Sequence, residues 1–114
     1  MKLVALAAMV AALTILPSAF ASTPTLNGTV GPGFTITLTQ GGKKVSKLKA
    51  GKYTIKVADK SNIHNFHLKG PGVNKSTSVG GTGSSTWTLT LKKGKYTFVC
   101  DPHATFMKGS FTVS

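Results

Sequence analysis

The chain has 114 residues with 14 lysines, no arginine and only 2 acidic residues, which gives a formal net charge of +12 at pH 7. The length allows a single domain with one modest hydrophobic core, and the single cysteine excludes an internal disulfide. The lysines are not accompanied by arginine, a basic helix or a row of aromatic residues, so no nucleic acid is expected as a partner. A positive field of this size favours association with an acidic partner protein.

Residues 1–21 have the pattern of a secretory signal peptide. Lys2 supplies the positive start, an apolar run follows over 3–16, and an Ala-x-Ala pattern ends at Ala21. The run is shorter than the ~20 residues that a bilayer-spanning helix needs, so the alternative of a retained anchor is less favoured. We expect an exported monomer without an integral membrane span, periplasmic, extracellular or associated with the cell envelope. Its formal charge is +11 once Lys2 is removed.

Residues 22–32 are rich in Ser, Thr, Pro and Gly, and they predict a flexible N-terminal lead-in to a domain over residues 33–114. Within that domain, apolar and polar residues alternate repeatedly, as they do in half-buried β-strands. The alternating segments are 34–38, 53–57, 63–69, 87–91, 96–100 and 108–114.

Weaker strands are predicted at 45–48 and, within the polar and Gly-rich segment 73–85, near 77–79. Turn residues separate all of these segments, and no amphipathic helical pattern lies between them. The domain is therefore predicted to be all-β, a Greek-key β-sandwich of about seven to eight strands.

The only cysteine begins a short segment that is rich in metal-binding side chains. Cys100 is followed by His103 and Met107, which offer a thiolate, an imidazole and a thioether. Such soft or borderline ligands favour a thiolate-bound copper over any hard cation. Strand alternation places His64 on the apolar face of segment 63–69 and His67 on its polar face. Cys100 lies on the inward face at the end of its own strand, so two strands could meet at one end of the sandwich.

The sequence resembles the cupredoxins, small blue copper proteins of the plastocyanin, pseudoazurin and amicyanin kind. The matching residues are 51–57, 64–66 and 94–103 together with Met107, and the resemblance covers nearly all of the mature chain. It implies a cupredoxin-like fold and one type 1 copper ion. The implied metal ligands are His64, Cys100 and His103 in equatorial positions and Met107 in the axial one.

The resemblance also implies that Asn65 supports the site by hydrogen bonding toward the ligand loop, and that the exposed edge of His103 is the electron port. One feature departs from the family pattern. Three residues separate His103 from Met107, whereas plastocyanin-like loops have four there and amicyanin-like loops have two. If Met107 is only a core residue, a more open site with a water ligand results.

The ligand set is compatible with several functions. The first is a one-electron carrier between redox partners, and the alternative is an extracytoplasmic protein for copper delivery, buffering or resistance. A mature chain with only Met107 and three histidines favours the carrier. A Cys–His nucleophilic enzyme lacks an evident orienting carboxylate or amide, so no enzyme is expected. A zinc site formed by the cysteine, two histidines and a water would be colourless.

Overall fold

The computed structural model describes residues 23–114, so the predicted signal peptide over 1–21 lies outside the described residues. The described chain forms ten β-strands and one short 3-10 turn, and it contains no α-helix. In chain order the strands are β1 Thr25–Val30, β2 Ile36–Gln40, β3 Lys43–Lys44, β4 Lys47–Leu48, β5 Gly51–Asp59, β6 His67–Gly70, β7 Val73–Ser76, β8 Gly83–Leu91, β9 Gly94–Val99 and β10 Lys108–Val113.

The strands form two sheets of five. The first has the order β3-β2-β1-β5-β8 and the second has the order β4-β10-β9-β6-β7. Pairs of non-consecutive strands, such as β5 with β8 and β6 with β9, require the chain to cross between the sheets, as Greek-key connections do. The predicted all-β sandwich is confirmed. Ten strands replace the expected seven to eight, because β1 was not predicted as a strand and the two-residue strand β3 is too short to show a period.

The core lies between the inward faces of the two sheets. Tyr96 and Phe98 of β9 are buried, and their rings stack on Phe111 of β10 and on Phe66. The centroid distances are 5.2 Å for Tyr96–Phe111 and 5.7 Å for Phe66–Phe98, with the rings nearly parallel in both pairs. The alternation predicted for 96–100 therefore describes the real inward and outward faces of that strand.

Strand β1 occupies most of the segment that was predicted to be a flexible lead-in. Leu26 and Val30 are fully buried, and β1 pairs with both β2 and β5. The prediction was wrong here because Asn27 and Gly28 within the strand, and the prolines at 24 and 32 next to it, obscure the strand pattern. Close packing explains why residue 28 is glycine, since a Cβ atom at this position would lie 2.9 Å from the ring of Phe66.

Several other strand boundaries differ from the prediction, and three of them concern the surroundings of the site. Strand β6 begins at His67 and not at residue 63, because His64, Asn65 and Phe66 are buried consecutively and so do not alternate. Strand β7 covers Val73–Ser76, whereas a strand was expected near 77–79. Strand β2 begins at Ile36, and Phe34 lies in the preceding turn with 59% of its surface exposed.

The register of the strands places four connections at one end of the sandwich, here called the site end. They are the segments 31–35, 60–66, 77–82 and 100–107. Residues 23–114 contain no helix long and apolar enough to cross a membrane.

Candidate metal centre

The loop that connects β9 to β10 is closed by its own backbone. The N–H of Cys100 donates to the carbonyl of Met107 at 3.0 Å, and the N–H of Met107 donates to the carbonyl of His103 at 2.8 Å. The N–H of His103 in turn donates to the carbonyl of Cys100 at 3.0 Å. Pro102 restricts the 3-10 turn between them, since its ring fixes φ. Cys100, His103 and Met107 are thus held in one compact ring of hydrogen bonds.

A second loop, between β5 and β6, carries His64. Its start is fixed by the buried carboxylate of Asp59, which accepts hydrogen bonds from the N–H of Ser61 and the hydroxyl of Thr77, both at 3.1 Å. Its end is fixed by Phe66, whose N–H donates to the Thr77 hydroxyl oxygen at 2.9 Å. His64 lies between these two anchors and is fully buried.

Three donor atoms from the two loops converge. The Nδ1 atoms of His64 and His103 lie 3.1 Å apart, and the Sγ atom of Cys100 lies 3.6 Å from the first and 3.5 Å from the second. The point equidistant from these atoms is about 2 Å from each, close to a metal–nitrogen or metal–sulfur bond length. A cluster of two imidazoles and one thiol at this spacing suits a metal ion better than mutual hydrogen bonding alone.

Met107 lies at the end of the loop that carries Cys100 and His103. Its side chain is buried, with 1% of its surface exposed, and it immediately precedes β10. The hydrogen bonds of its backbone to Cys100 and His103 fix its position relative to both. The structure therefore brings all four predicted site residues to the site end, on two loops.

Asn65 joins the two loops through its side-chain amide. Its Oδ1 atom accepts the backbone N–H of Asp101 at 2.7 Å, so its Nδ2 group must be the donor in the remaining contacts. That group donates to the Asp101 carboxylate at 2.8 Å and to the carbonyl of Thr77 at 3.4 Å. The predicted support of the ligand loop by Asn65 is confirmed.

His67 takes part in the same network and does not reach the donor triangle. Its Nδ1 atom lies 2.8 and 2.9 Å from the two carboxylate oxygens of Asp101, and its Nε2 atom lies 2.6 Å from the Oδ1 atom of Asn74. The sequence interpretation overlooked Asp101 as a supporting residue. Two features of the sequence could have indicated this role. Asp101 directly follows Cys100, and the polar residues Asn65 and His67 are spaced two residues apart.

The surroundings of Asp101 change its acidity. Partial burial alone would raise the pKa of Asp101, but hydrogen bonds from Asn65 and His67 and the positive charges of His67 and Lys69 outweigh it. The pKa of Asp101 is therefore held below its usual value, and its carboxylate stays charged while it accepts these hydrogen bonds.

Two exposed phenylalanines surround the imidazoles. Phe34 makes edge-type contacts with both His64 and His103, at centroid distances of 5.0 and 5.1 Å. Phe106 lies 5.6 Å from the ring of His103. Each phenylalanine is 59% exposed, and His103, which contacts both rings, is half-buried. The site thus approaches the surface through His103, in apolar surroundings.

Comparison with known proteins identifies the family. The model of the cupredoxin-like domain matches residues 4–113, and the chain belongs to this family. No curated protein sequence matches the chain significantly.

Solved structures with a similar fold include a mutant rusticyanin, 23% identical with a TM-score of 0.60, where the match covers 81% of this chain and 78% of that one. Rusticyanin from Thiobacillus ferrooxidans is 23% identical, with a TM-score of 0.56 and coverages of 81% and 77%. Reduced auracyanin from the photosynthetic bacterium Roseiflexus castenholzii is 22% identical, with a TM-score of 0.56 and coverages of 81% and 98%. At this identity the likeness concerns the fold.

The donor set fits the cofactor of the family. Cupredoxins bind one copper ion, and the arrangement of His64, Cys100, His103 and Met107 is typical of a type 1 site. The ligand atoms of the two histidines and the cysteine all lie within 4.8 Å of one another. Copper is the cofactor of this protein, and family membership supports a blue copper electron carrier in general.

Proposed function

We propose that this protein is an exported one-electron carrier, in which His64, Cys100 and His103 are the strong ligands of a type 1 copper and Met107 is the axial ligand. The observation that carries the proposal is the triangle of two Nδ1 atoms and one Sγ atom, with sides of 3.1 to 3.6 Å. The bound ion supplies the one-electron redox couple. The chain supplies the thiolate, the imidazoles and their fixed positions.

The rigidity of the site supports electron transfer as the function. The ligand loop is closed by three backbone hydrogen bonds, and Asn65 ties it to the loop that carries His64. Ligands locked by such contacts move little when the ion gains or loses an electron, so little reorganisation opposes the transfer. A protein that delivers or buffers copper needs instead a site that opens to release it.

The surroundings of His103 support its role as the electron port. Its ring is half-buried, whereas His64 and Cys100 are fully buried. The exposed rings of Phe34 and Phe106 both lie next to it, 6.0 Å from each other, and offer an apolar contact area to a partner protein. The excess of lysine favours an acidic partner, and export rests on the signal pattern at 1–21.

The first test is a visible and EPR spectrum of the mature protein after addition of one equivalent of copper(II). We expect an intense blue band and narrow copper hyperfine splitting, both lost on reduction. The thiolate of Cys100 is the source of the charge-transfer band, so Cys100→Ser should remove the blue colour. A blue Cys100→Ser protein would refute the ligand assignment. A colourless wild-type protein that retains copper(I) or zinc tightly would favour metal handling or a zinc site.

Met107→Gln tests the axial ligand separately. A thioether is a weak ligand and an amide oxygen is a harder one, so the substitution should keep copper bound but change the colour and lower the reduction potential. Visible spectroscopy and a redox titration measure both effects. An unchanged spectrum would mean that Met107 is a core residue and that the site is more open than proposed.

A further inference from the structure

The largest group of lysines lies at the end of the sandwich that is opposite the site end. Six of the 14 lysines lie on the turns and strand ends there. This group is here called the basic pole and consists of Lys47, Lys49, Lys52, Lys92, Lys93 and Lys95, all of them exposed.

Strand pairing brings these residues together across both sheets. Lys47 and Lys95 flank Thr112 on neighbouring strands of the second sheet. The other sheet ends beside them, because the N–H of Ala50, between β4 and β5, donates to the carbonyl of Ser114, just after β10, at 2.9 Å. The basic pole is therefore one continuous end of the molecule and not a set of scattered charges.

No acidic side chain offsets this charge. The only two carboxylate side chains, Asp59 and Asp101, lie at the site end, where each accepts hydrogen bonds. Within residues 23–114, the one ion pair joins His67 to Asp101, and no lysine takes part in one. The six lysines of the pole are thus free to interact with an external anion.

The apolar surface has the opposite distribution. The large exposed hydrophobic residues of the described chain all lie in site-end connections, and they are Phe34, Ile63, Val79 and Phe106. Protein interfaces are enriched in aromatic residues and arginine and depleted in lysine. The composition of the site end is therefore suited to a protein partner. The basic pole is not, because its charged residues are all lysines and it has no large exposed apolar residue.

We infer that the basic pole binds the surface of an anionic phospholipid bilayer. Each lysine near such a surface contributes about 1 kcal/mol of attraction, which decays within a Debye length. Lysine is a compact, hydrated point charge that needs no specific geometry, as suits an array of mobile headgroups. Without an apolar anchor, binding is reversible and rests on electrostatics alone. In this orientation the bilayer covers the pole, and the site end faces away from the membrane toward its partners.

Co-sedimentation with lipid vesicles tests the inference. The copper-loaded mature protein is mixed with vesicles of phosphatidylcholine alone, or of equal parts phosphatidylglycerol and phosphatidylcholine. We expect binding to the anionic vesicles only, with loss at high salt. The triple variant Lys92→Gln, Lys93→Gln, Lys95→Gln should bind about a hundredfold more weakly, since three contributions are removed. These changes leave intact the Lys92 carbonyl, which accepts the Tyr96 hydroxyl at 2.8 Å.

A matched control separates the pole from the total charge. The triple variant Lys56→Gln, Lys69→Gln, Lys75→Gln loses the same charge from exposed positions outside the pole and should bind far more tightly than the pole variant. Equal losses in both variants would overturn the inference, because net charge alone would then explain binding. No binding of the wild type to anionic vesicles would also overturn it. So would pole-dependent binding to soluble polyglutamate without vesicle binding, which would indicate an acidic protein as the occupant.

Discussion

The imidazole of His64 has a buried nitrogen without a hydrogen-bond partner. Among residues 23–114, its Nε2 is the one fully buried side-chain nitrogen or oxygen atom that has no hydrogen-bond partner. If Nδ1 binds the metal as proposed above, Nε2 carries the proton and has no acceptor. A histidine ligand usually donates this proton to an oxygen, which increases its basicity. In that case we expect His64 to be a weaker donor to copper(II) than a hydrogen-bonded imidazole would be, which favours the reduced state of the site.

Phe34 keeps water away from His64, so its replacement should lower the reduction potential of the copper site. The ring of Phe34 lies 5.0 Å from that of His64. In Phe34→Ala, water gains access to the site, gives Nε2 an acceptor and increases the local polarity, and both effects stabilise copper(II). A redox titration measures the shift.

Phe106→Ala provides the control for this prediction. Phe106 is equally exposed but contacts His103 and not His64, so its substitution should shift the potential less. Equal shifts in the two variants, or a higher potential in Phe34→Ala, would contradict the role given to His64 Nε2.

Asp101 makes the stability of the apoprotein depend on pH. Because the pKa of Asp101 is lowered on folding, its charged form stabilises the fold above the usual carboxyl pKa, and this contribution is lost as the pH falls through the lowered value. Asp101→Asn cannot titrate, yet it keeps a side chain of the same shape. We expect the wild type to be the more stable protein at mildly acidic pH, and the gap should close at lower pH.

Urea unfolding of the copper-free proteins over a pH series measures this gap. The copper-free form is used so that copper binding does not contribute to the measured stability. A gap that stays constant down to the lowest pH at which both proteins fold would show that His67 and Asn65 do not hold the charged carboxylate as described.

At the scale of elements, the β9–β10 hairpin connects the core to the ligand loop. Phe98 of β9 lies over Gly109 of β10, and a Cβ atom at Gly109 would overlap the Phe98 ring. The same ring stacks on Phe66, two residues after His64. Gly109→Ala should therefore displace Phe98 and destabilise the protein by about 1–3 kcal/mol through overpacking.

A glycine in open space serves as the control for this substitution. Gly80 has no atom within 4 Å of its Cβ position, so Gly80→Ala should change the unfolding free energy by less than about 0.5 kcal/mol. Urea unfolding midpoints compare both variants with the wild type. Equal stabilities of the two variants would exclude close packing between Phe98 and Gly109.

The same elements explain how far the sequence predicted the structure. Alternation located β5 and β9 well because these strands bury one face against the opposite sheet. It failed for β1, where stability comes from two neighbouring strands, and for residues 64–66, where a loop buries three consecutive side chains. Periodicity reports only which face of a strand is buried, and it carries no information about such tertiary contacts.

The site was predictable for a different reason. Cys100, His103 and Met107 lie within one short loop, so their chemistry is visible as a local motif. The link to Asp101 and His67 was not visible, because it depends on the pairing of β6 with β9, which brings His67 opposite Val99. The sequence could name the candidate copper ligands but not the residues that hold the two loops together.

At the scale of the whole molecule, the separation of apolar and basic surfaces has a kinetic consequence. If the protein is the carrier proposed above, two copies exchange electrons by bringing their site ends together, while each copy carries a formal charge of +11 without Lys2. Like charges slow this encounter, and added salt screens them. The electron self-exchange rate, measured by NMR line broadening in mixtures of the reduced and oxidised protein, should therefore rise with ionic strength.

Variants at the two ends distinguish total charge from local contact. The substitutions Lys92→Gln, Lys93→Gln and Lys95→Gln lie far from the site end and remove three charges, so they should speed self-exchange at low salt and have little effect at high salt. Phe106→Ala removes apolar contact area beside His103 and should slow self-exchange at both salt concentrations.

A rate that falls with added salt would mean that the copies attract one another, which a surface without free acidic side chains does not allow. Slowing by the lysine substitutions at high salt would place the basic pole in the electron-transfer contact, and the site end could then not be the only electron port.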